Sequence, residues 1–345
     1  MGEPISSAHD AWAPSSIIHS PSSPARQPRV FVTRALPGEA LDRLATVADV
    51  DLWPGALPPL YDDLRAHAAT ADGIITLLTD RIDAELIAAA PQLRVISNVA
   101  VGYDNVDVSA ATACGIAVGH TPGILTETTA DLAFALLLAT ARRVVEADRF
   151  VRDGRWQTWD PQLLLGHDVH GATLGIVGFG KIGRAVARRA AGFGMRVVYA
   201  TRGDPRDADA VTRGEQLPLE ALLPSSDFVS LHVPLTPQTA RLIAERQLRS
   251  MKPSAILINT ARGAVVDQSA LVRALHEGWI AGAGLDVMEE EPLPPGDALL
   301  SAPNVVLLPH IGSASHATRE RMASMAVDNC IAGLRGEPLP HAVGV

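Results

Sequence analysis

The chain is poor in cysteine: Cys114 and Cys330 are the only two in 345 residues. That excludes a disulfide framework and fits a reducing, cytoplasmic setting. Long apolar runs are also missing. The longest, Leu132 to Ala139, falls far short of the ~18 residues a membrane-spanning helix needs. Basic residues are in deficit, 29 against 38 acidic, for a formal charge of −9. Such a balance argues against nucleic acid or an anionic membrane as a partner. Regular patterning is lacking in residues 1–28, a stretch of Ser, Pro and Ala that reads as a disordered tail. Met1-Gly2 with Ser6 has the outline of a myristoylation site, but no basic cluster supplies a second anchor. The remaining length suffices for about two domains with substantial cores.

What is present centres on residues 173–202. Leu174 to Val177 is an apolar run of strand length, followed by Gly178-Phe179-Gly180-Lys181-Ile182-Gly183. A helix with apolar Ile182, Val186 and Ala190 comes next, then a second β-rich run, Val197 to Ala200. Strand, glycine turn, helix and strand together give a G-x-G-x-x-G its meaning as a dinucleotide-binding turn. Gly178 allows the tight turn, Gly180 the approach of a pyrophosphate, and Gly183 close packing of helix on strand. Free N–H groups at the helix start suit the phosphates. About 20 residues past the glycines an acid would hold the ribose 2′-hydroxyl of NAD. Here that place holds Thr201 and Arg202, with Arg206 beyond and no carboxylate before Asp204. A hydroxyl and a guanidinium suit a 2′-phosphate, so NADP(H) is the expected cofactor and NAD(H) a possible one.

The rest of the chain alternates strands and helices. Before the glycine turn, strands are expected at Val30 to Val32, Gly73 to Leu78, Leu93 to Ser97 and Gly115 to Val118. Helices are expected at Gly38 to Val47, from Tyr61, at Ile82 to Ala90 and at Val108 to Ala113. One long helix, Thr126 to Phe150, capped by Thr126 or Thr128, joins this unit to the next; apolarity around its middle predicts burial on several sides. After Arg202 come strands at Phe228 to Val233, Ala255 to Asn259, Ala281 to Val287 and Val305 to Leu308. Helices at Leu217 to Leu223, Thr239 to Ser250 and Gln268 to Glu277 separate them, and Ala314 to Leu334 closes the chain. The pattern is α/β, with two doubly wound parallel sheets.

Ligands of such sheets sit outside the carboxyl ends of the strands. Arg262, Glu291 and His310 each follow a strand exit, on the edge that also receives the cofactor; Glu289 and Glu290 are solvated neighbours. Small residues after the strand at Leu93 to Ser97, through Val101 and Gly102, leave N–H groups for an anion.

The sequence resembles the D-isomer-specific 2-hydroxyacid dehydrogenases, and within them the glyoxylate/hydroxypyruvate reductases. The resemblance runs from about Arg29 to Pro340, on SNVAVGYDNVD, TETTADLAFALLLATARR, GFGKIG, INTARG, GLDVMEEEPLP, LPHIGSA and GLRGEPLP. Carried over by position, it makes Arg262, Glu291 and His310 catalytic. Val101, Gly102, Leu78, Arg262 and His310 would meet the substrate. Besides the glycine turn, Thr201 and Arg202, the cofactor would meet Val233, Pro234, Thr260, Ala261, Asp286 and Gly312. The resemblance also implies a Rossmann-type cofactor domain, residues 123–310, inserted into a flavodoxin-like substrate domain made of 29–122 and 311–345. It implies a homodimer in which Trp159 reaches the partner's site. Met288 stands where the family commonly has phenylalanine, and the strand-end acid is absent.

On this reading NADPH gives a hydride to C2 of a small 2-keto acid. His310, as imidazolium, gives the proton, because histidine titrates near operating pH. Glu291 would favour the charged imidazole, and Arg262 would grip carboxylate and carbonyl together. No metal is called for. The alternatives are an NAD-dependent dehydrogenase of a bulkier 2-keto acid, and a corepressor-like module that senses the nucleotide without turnover.

Overall fold

The computed structural model describes residues 26–202 and 214–344. Most of the expected tail, together with Asp204 and Arg206, lies outside them. Arg26, assigned to the tail, is tied down: its Nη2 donates to Asp72 Oδ2 at 2.8 Å and Gln92 Oε1 at 2.9 Å.

The first unit contains β1 (Arg29–Val32), α1 (Ala40–Ala45), β2 (Asp49–Leu52), α2 (Tyr61–Ala68), β3 (Gly73–Thr76), α3 (Ala84–Ala88), β4 (Val95–Asn98), α4 (Val108–Ala113) and β5 (Ala117–Gly119). Its strands form a parallel sheet in the order β2-β1-β3-β4-β5, the flavodoxin-like arrangement. β3 and β4 are buried along their whole length, which is why they read as continuous apolar runs. β2 was not expected. Its Asp-Val-Asp-Leu sequence looks like loop, yet an edge strand tolerates charge on its open side. Asp51 is held there by Arg29 and His67.

The connector departs from expectation. α5 (Thr126–Ala141) ends early and α6 (Val144–Arg152) starts anew, because Arg143 takes the left-handed conformation at φ 54°. Arg143 then serves the second helix: its carbonyl accepts from Ala147 N, and its guanidinium grips Glu146 through two bonds. Neither expected threonine caps α5. The N-cap position is Leu125, and Thr128 Oγ1 lies 2.6 Å from Thr318 Oγ1 instead. α5 itself is buried on several sides, as its composition requires.

The second unit holds β6 (Thr173–Val177), α7 (Lys181–Gly192), β7 (Arg196–Ala200), β8 (Glu215–Gln216), α8 (Leu219–Ser225), β9 (Phe228–Leu231), α9 (Glu245–Ser250), β10 (Ile256–Asn259), α10 (Gln268–Glu277), β11 (Gly282–Leu285) and β12 (Val305–Leu307). The parallel sheet runs β12-β11-β10-β9-β6-β7-β8, the Rossmann order with one strand added. β8 is too short and polar to read from sequence. The last helix, α11 (His316–Leu334), leaves this sheet and packs on β3, β4 and α1 of the first unit. Met322, Ala326, Val327 and Cys330 of α11 share a core with Val32, Ile75 and Val95.

Candidate active site

The two sheets turn their carboxyl edges toward a cleft of about 430 Å³. Each important side chain reaches it from a strand exit, and each is fixed by a nearby backbone device.

Arg262 lies in the turn after β10. Asn259 shapes that turn: its Nδ2 donates to Arg262 O at 2.9 Å and its Oδ1 accepts from Ala261 N at 3.0 Å. The guanidinium is held at two points. Nε donates to Asp104 Oδ1 at 3.0 Å, and Nη1 to the Ala261 carbonyl at 2.9 Å. Nη2 is left lying over Gly102, where any Cβ would push it away.

His310 follows β12 with φ at 54°, a conformation that only a fixed surrounding sustains in a non-glycine residue. Its N–H donates to the Asp286 carbonyl at 2.9 Å. Its Nδ1 lies 2.6 Å from Glu291 Oε2, while Glu291 Oε1 accepts from Met288 N at 2.9 Å. Because a carboxylate only accepts, Nδ1 carries the proton shared with Glu291 and Nε2 is left for the cleft. Burial pushes the Glu291 carboxyl up, but the hydrogen bond and charge of His310, the Met288 N–H and Arg262 outweigh it. The net result is a carboxyl held below its ordinary range.

Asp286, at the end of β11, is almost fully buried. Burial raises its carboxyl against the N–H groups of Ile311 and Gly312, the first at 2.8 Å from Oδ1. His232 also lines the cleft but is a different kind of histidine. Burial pushes it down to about 4, and its Nε2 rests 2.8 Å from Ser230 Oγ, so it stays neutral.

Opposite Arg262 runs the loop Val99 to Gly102. His120 Nδ1 lies 2.9 Å from the Val101 carbonyl, and Asn98 Nδ2 donates to the Gly102 carbonyl at 2.9 Å. With both carbonyls taken up beneath and the Val99 N–H given to Thr76 O, the N–H groups of Val101 and Gly102 make no backbone hydrogen bond among the described residues.

Of the residues expected at the site, Leu78, Val101, Gly102, Ile182, Val233, Pro234, Thr260, Ala261, Arg262, Asp286, His310 and Gly312 line one cleft. Glu291 stands behind His310. Apart from Ile182, the glycine turn lies outside that lining, as do Thr201 and Arg202, at the β6 and β7 exits. Phe179 does not offer its ring, which is buried and stacked on Tyr199 with centroids 3.9 Å apart. Trp159 is 77% exposed and outside its own chain's cleft. Sequence reasoning missed Tyr103, Asp104, Thr129, Arg319 and Met322 among the lining residues. For Asp104 there was a signal: an acid two residues past the anion loop, with an arginine expected across from it.

The residues fit a dinucleotide. Gly178 has φ at 96° and packs where a Cβ would strike His232; a Cβ on Gly183 would strike the Gly178 carbonyl, while one on Gly180 would meet only open space. Thr260 Oγ1, in the cleft wall, is buried with no hydrogen-bond partner among the described residues, an unmet need that a bound group can fill. These features define an α/β protein whose glycine turn suits a dinucleotide and whose cleft holds a hydrogen-bonded histidine backed by a carboxylate. Residues 134–312 match the family described as D-isomer specific 2-hydroxyacid dehydrogenase, NAD binding domain. The chain is 57% identical over 318 residues to a glyoxylate reductase of Korarchaeum cryptofilum, covering 92% of this chain and 96% of that one. The TT0316 protein of Thermus thermophilus superposes with a TM-score of 0.86 at 53% identity, over 92% of this chain and 100% of that one. An NADPH-dependent glyoxylate/hydroxypyruvate reductase of Sinorhizobium meliloti, crystallised with NADP and malonate, gives 0.81 at 37%, over 92% and 97%. The chain belongs to the D-isomer-specific 2-hydroxyacid dehydrogenases. It is therefore an oxidoreductase that uses a nicotinamide dinucleotide.

Proposed function

We propose that this enzyme reduces glyoxylate and hydroxypyruvate to the corresponding 2-hydroxy acids, D in configuration where C2 becomes chiral, with NADPH preferred over NADH. The observation that carries the reading is the 2.6 Å His310–Glu291 pair in the same cleft as the Arg262–Gly102 corner. A 2-keto acid needs those two devices on either side of its C2. Relatives named glyoxylate reductase at 51–57% identity support the substrate class.

When bound, the cofactor supplies the hydride. The chain's residues do the rest. Val101 and Gly102 N–H groups and Arg262 Nη2 receive the substrate carboxylate, and Arg262 also reaches the carbonyl oxygen. His310 Nε2 gives its proton to that oxygen as charge grows there, and Glu291 holds the imidazolium that precedes transfer. Gly178 to Gly183, Val233, Pro234, Thr260, Ala261, Asp286 and Gly312 hold the dinucleotide. Thr201 and Arg202 hold the ribose phosphate, which supports NADPH. Residues 123–310 act as the cofactor domain; 29–122 with 311–345 act as the substrate domain.

A homodimer belongs to the same proposal. α6 has no buried residue, and Val144, Val151, Trp156, Trp159 and Leu165 are all more than half exposed. A patch of that kind calls for cover, and Trp159 would enter the partner's cleft. Following NADPH absorbance with glyoxylate tests the function. Turnover dependent on keto acid is expected; NADPH binding without oxidation of any 2-keto acid would leave a sensing module instead.

A further inference from the structure

Among the described charged residues of the cleft, Asp104 is spent on Arg262, and Arg319 is left with no task in the reaction above. It projects from the second turn of α11, on the same face as Met322 and Ala326, both buried in the core. That face is otherwise apolar, so a guanidinium there loses hydration. Two other partly buried arginines recover the loss by gripping carboxylates: Arg189 holds Glu127 and Asp131, and Arg262 holds Asp104. Arg319 makes no side-chain hydrogen bond and no ion pair among the described residues. Burial lowers its pKa, opposed by the charge of Asp286, which is near enough to be felt but is not in contact. Asp286 is itself engaged with Ile311 and Gly312. The side chain nonetheless lines the cleft, whose wall also holds apolar Val99, Leu125, Ile182 and Met322 alongside Thr129 and Ser313.

A guanidinium stays charged under all working conditions and offers five donors. One that lines a cleft, partly buried and with no acceptor among the described residues, calls for an acceptor from outside. The reduction proposed above, on which this inference rests, already places three parts of a 2-keto acid. The carboxylate goes to Arg262 and the Val101–Gly102 loop, the carbonyl oxygen to His310, and C2 to the cofactor. What remains is C3 and whatever it carries.

We propose that Arg319 is a specificity-determining residue that donates to an acceptor at C3 of the substrate, so that the cleft selects 3-hydroxy-2-keto acids over their 3-deoxy counterparts. Hydroxypyruvate and pyruvate differ by that one hydroxyl. A site built to hydrogen-bond a hydroxyl discriminates strongly against the analogue lacking it, since its own polar group is then left buried and unpaired.

The test compares kcat/KM for hydroxypyruvate and pyruvate in the full-length wild type, Arg319→Met and Arg319→Lys. The wild-type ratio should favour hydroxypyruvate, and Arg319→Met should lower that ratio at least tenfold, on the order of one charge-assisted hydrogen bond. Arg319→Lys, which keeps the charge, should keep part of the preference. Affinity for NADPH, from its fluorescence on binding, should stay within about twofold in both variants. An unchanged ratio overturns the assignment. So does a loss of NADPH affinity that parallels the loss of activity, which would place Arg319 on the cofactor. A measurement needing no variant guards against misfolding: quenching titrations of the wild type with NADP⁺ should show D-glycerate binding at least tenfold tighter than D-lactate, and equal affinities overturn the proposal. Failure of the wild type to reduce either keto acid would instead defeat the reductase reading itself, and this inference with it.

Discussion

The two ends of the cleft are built differently. At the reacting end Arg262, Glu291, Asp286 and His310 are each fixed by at least two contacts: carboxylates to backbone N–H groups, the guanidinium to Asp104 and a carbonyl. At the far end of β7, Arg202 is exposed and makes no hydrogen bond or ion pair among the described residues. Chemistry needs reacting groups held before substrate arrives, because preorganised donors cost no rearrangement during the reaction. Choice between two nicotinamide cofactors needs only an affinity difference, which a mobile side chain on the rim can supply. Effects of mutation should therefore be large and fall on kcat at one end, and modest and confined to cofactor binding at the other.

The largest effect below His310 itself is expected at Arg262. Arg262→Gln removes the grip on carboxylate and carbonyl together, and kcat/KM should fall by about 10²–10³. Measuring both keto acids under saturating NADPH checks it, and a small effect would mean that the loop N–H groups hold the substrate alone. Glu291→Gln comes next, with kcat down by roughly ten- to a hundredfold, since the imidazolium loses its counter-charge. The pH dependence has a definite sign. Proton donation needs protonated His310, so the wild-type rate should rise as pH falls. Because the Glu291 carboxyl is held below its ordinary value by His310, the Met288 N–H and Arg262, it remains ionised through that rise, and decline sets in only on the acid side of the ordinary carboxylate range. The Gln variant should lose the Glu291-dependent acid limb in a kcat–pH profile.

Asp104→Asn sharpens the comparison, for it loosens a fixed group without removing it. The Asp104–Arg262 pair is partly exposed, with the carboxylate at 39%, so screening limits its worth. A rise of about three- to tenfold in KM is expected with kcat little changed, read from initial rates. Arg202→Gln should have a comparable or smaller effect at the other end. The ratio of NADPH to NADH affinity should drop by about tenfold or less, and kcat with saturating cofactor should hold. A large loss of kcat in Arg202→Gln would break the distinction between the two ends.

Legibility in the sequence follows the same division. The glycine turn could be read because Gly178 and Gly183 meet steric demands that no other residue satisfies, and those demands are local. The placement of Arg262 and His310 on one cleft, with Glu291 behind, could be read because a parallel sheet delivers strand exits to one edge. Asp104 carried only the hint of an acid just past the Val99–Gly102 loop, its partner lying more than 150 residues away, and Arg319 carried none, since its meaning depends on having no partner among the described residues. The break at Arg143 escaped for a related reason. Its left-handed backbone sits inside a run whose composition favours helix, and is set by the Glu146 and Ala147 contacts. β2 and β8 are edge strands too short to read: the Asp-Val-Asp-Leu alternation of β2 lasts only four residues, and β8 has two, both polar.

The account depends most on His310 as the group that gives the proton. Single-turnover oxidation of bound NADPH by glyoxylate, followed across pH 5 to 9 in wild type and His310→Asn, tests this directly. The wild-type rate should fall as pH rises, and the Asn variant should be slower by about 10²–10⁴, show no such fall, and still bind NADPH. A variant that keeps a tenth or more of the wild-type rate with the same pH dependence would contradict it.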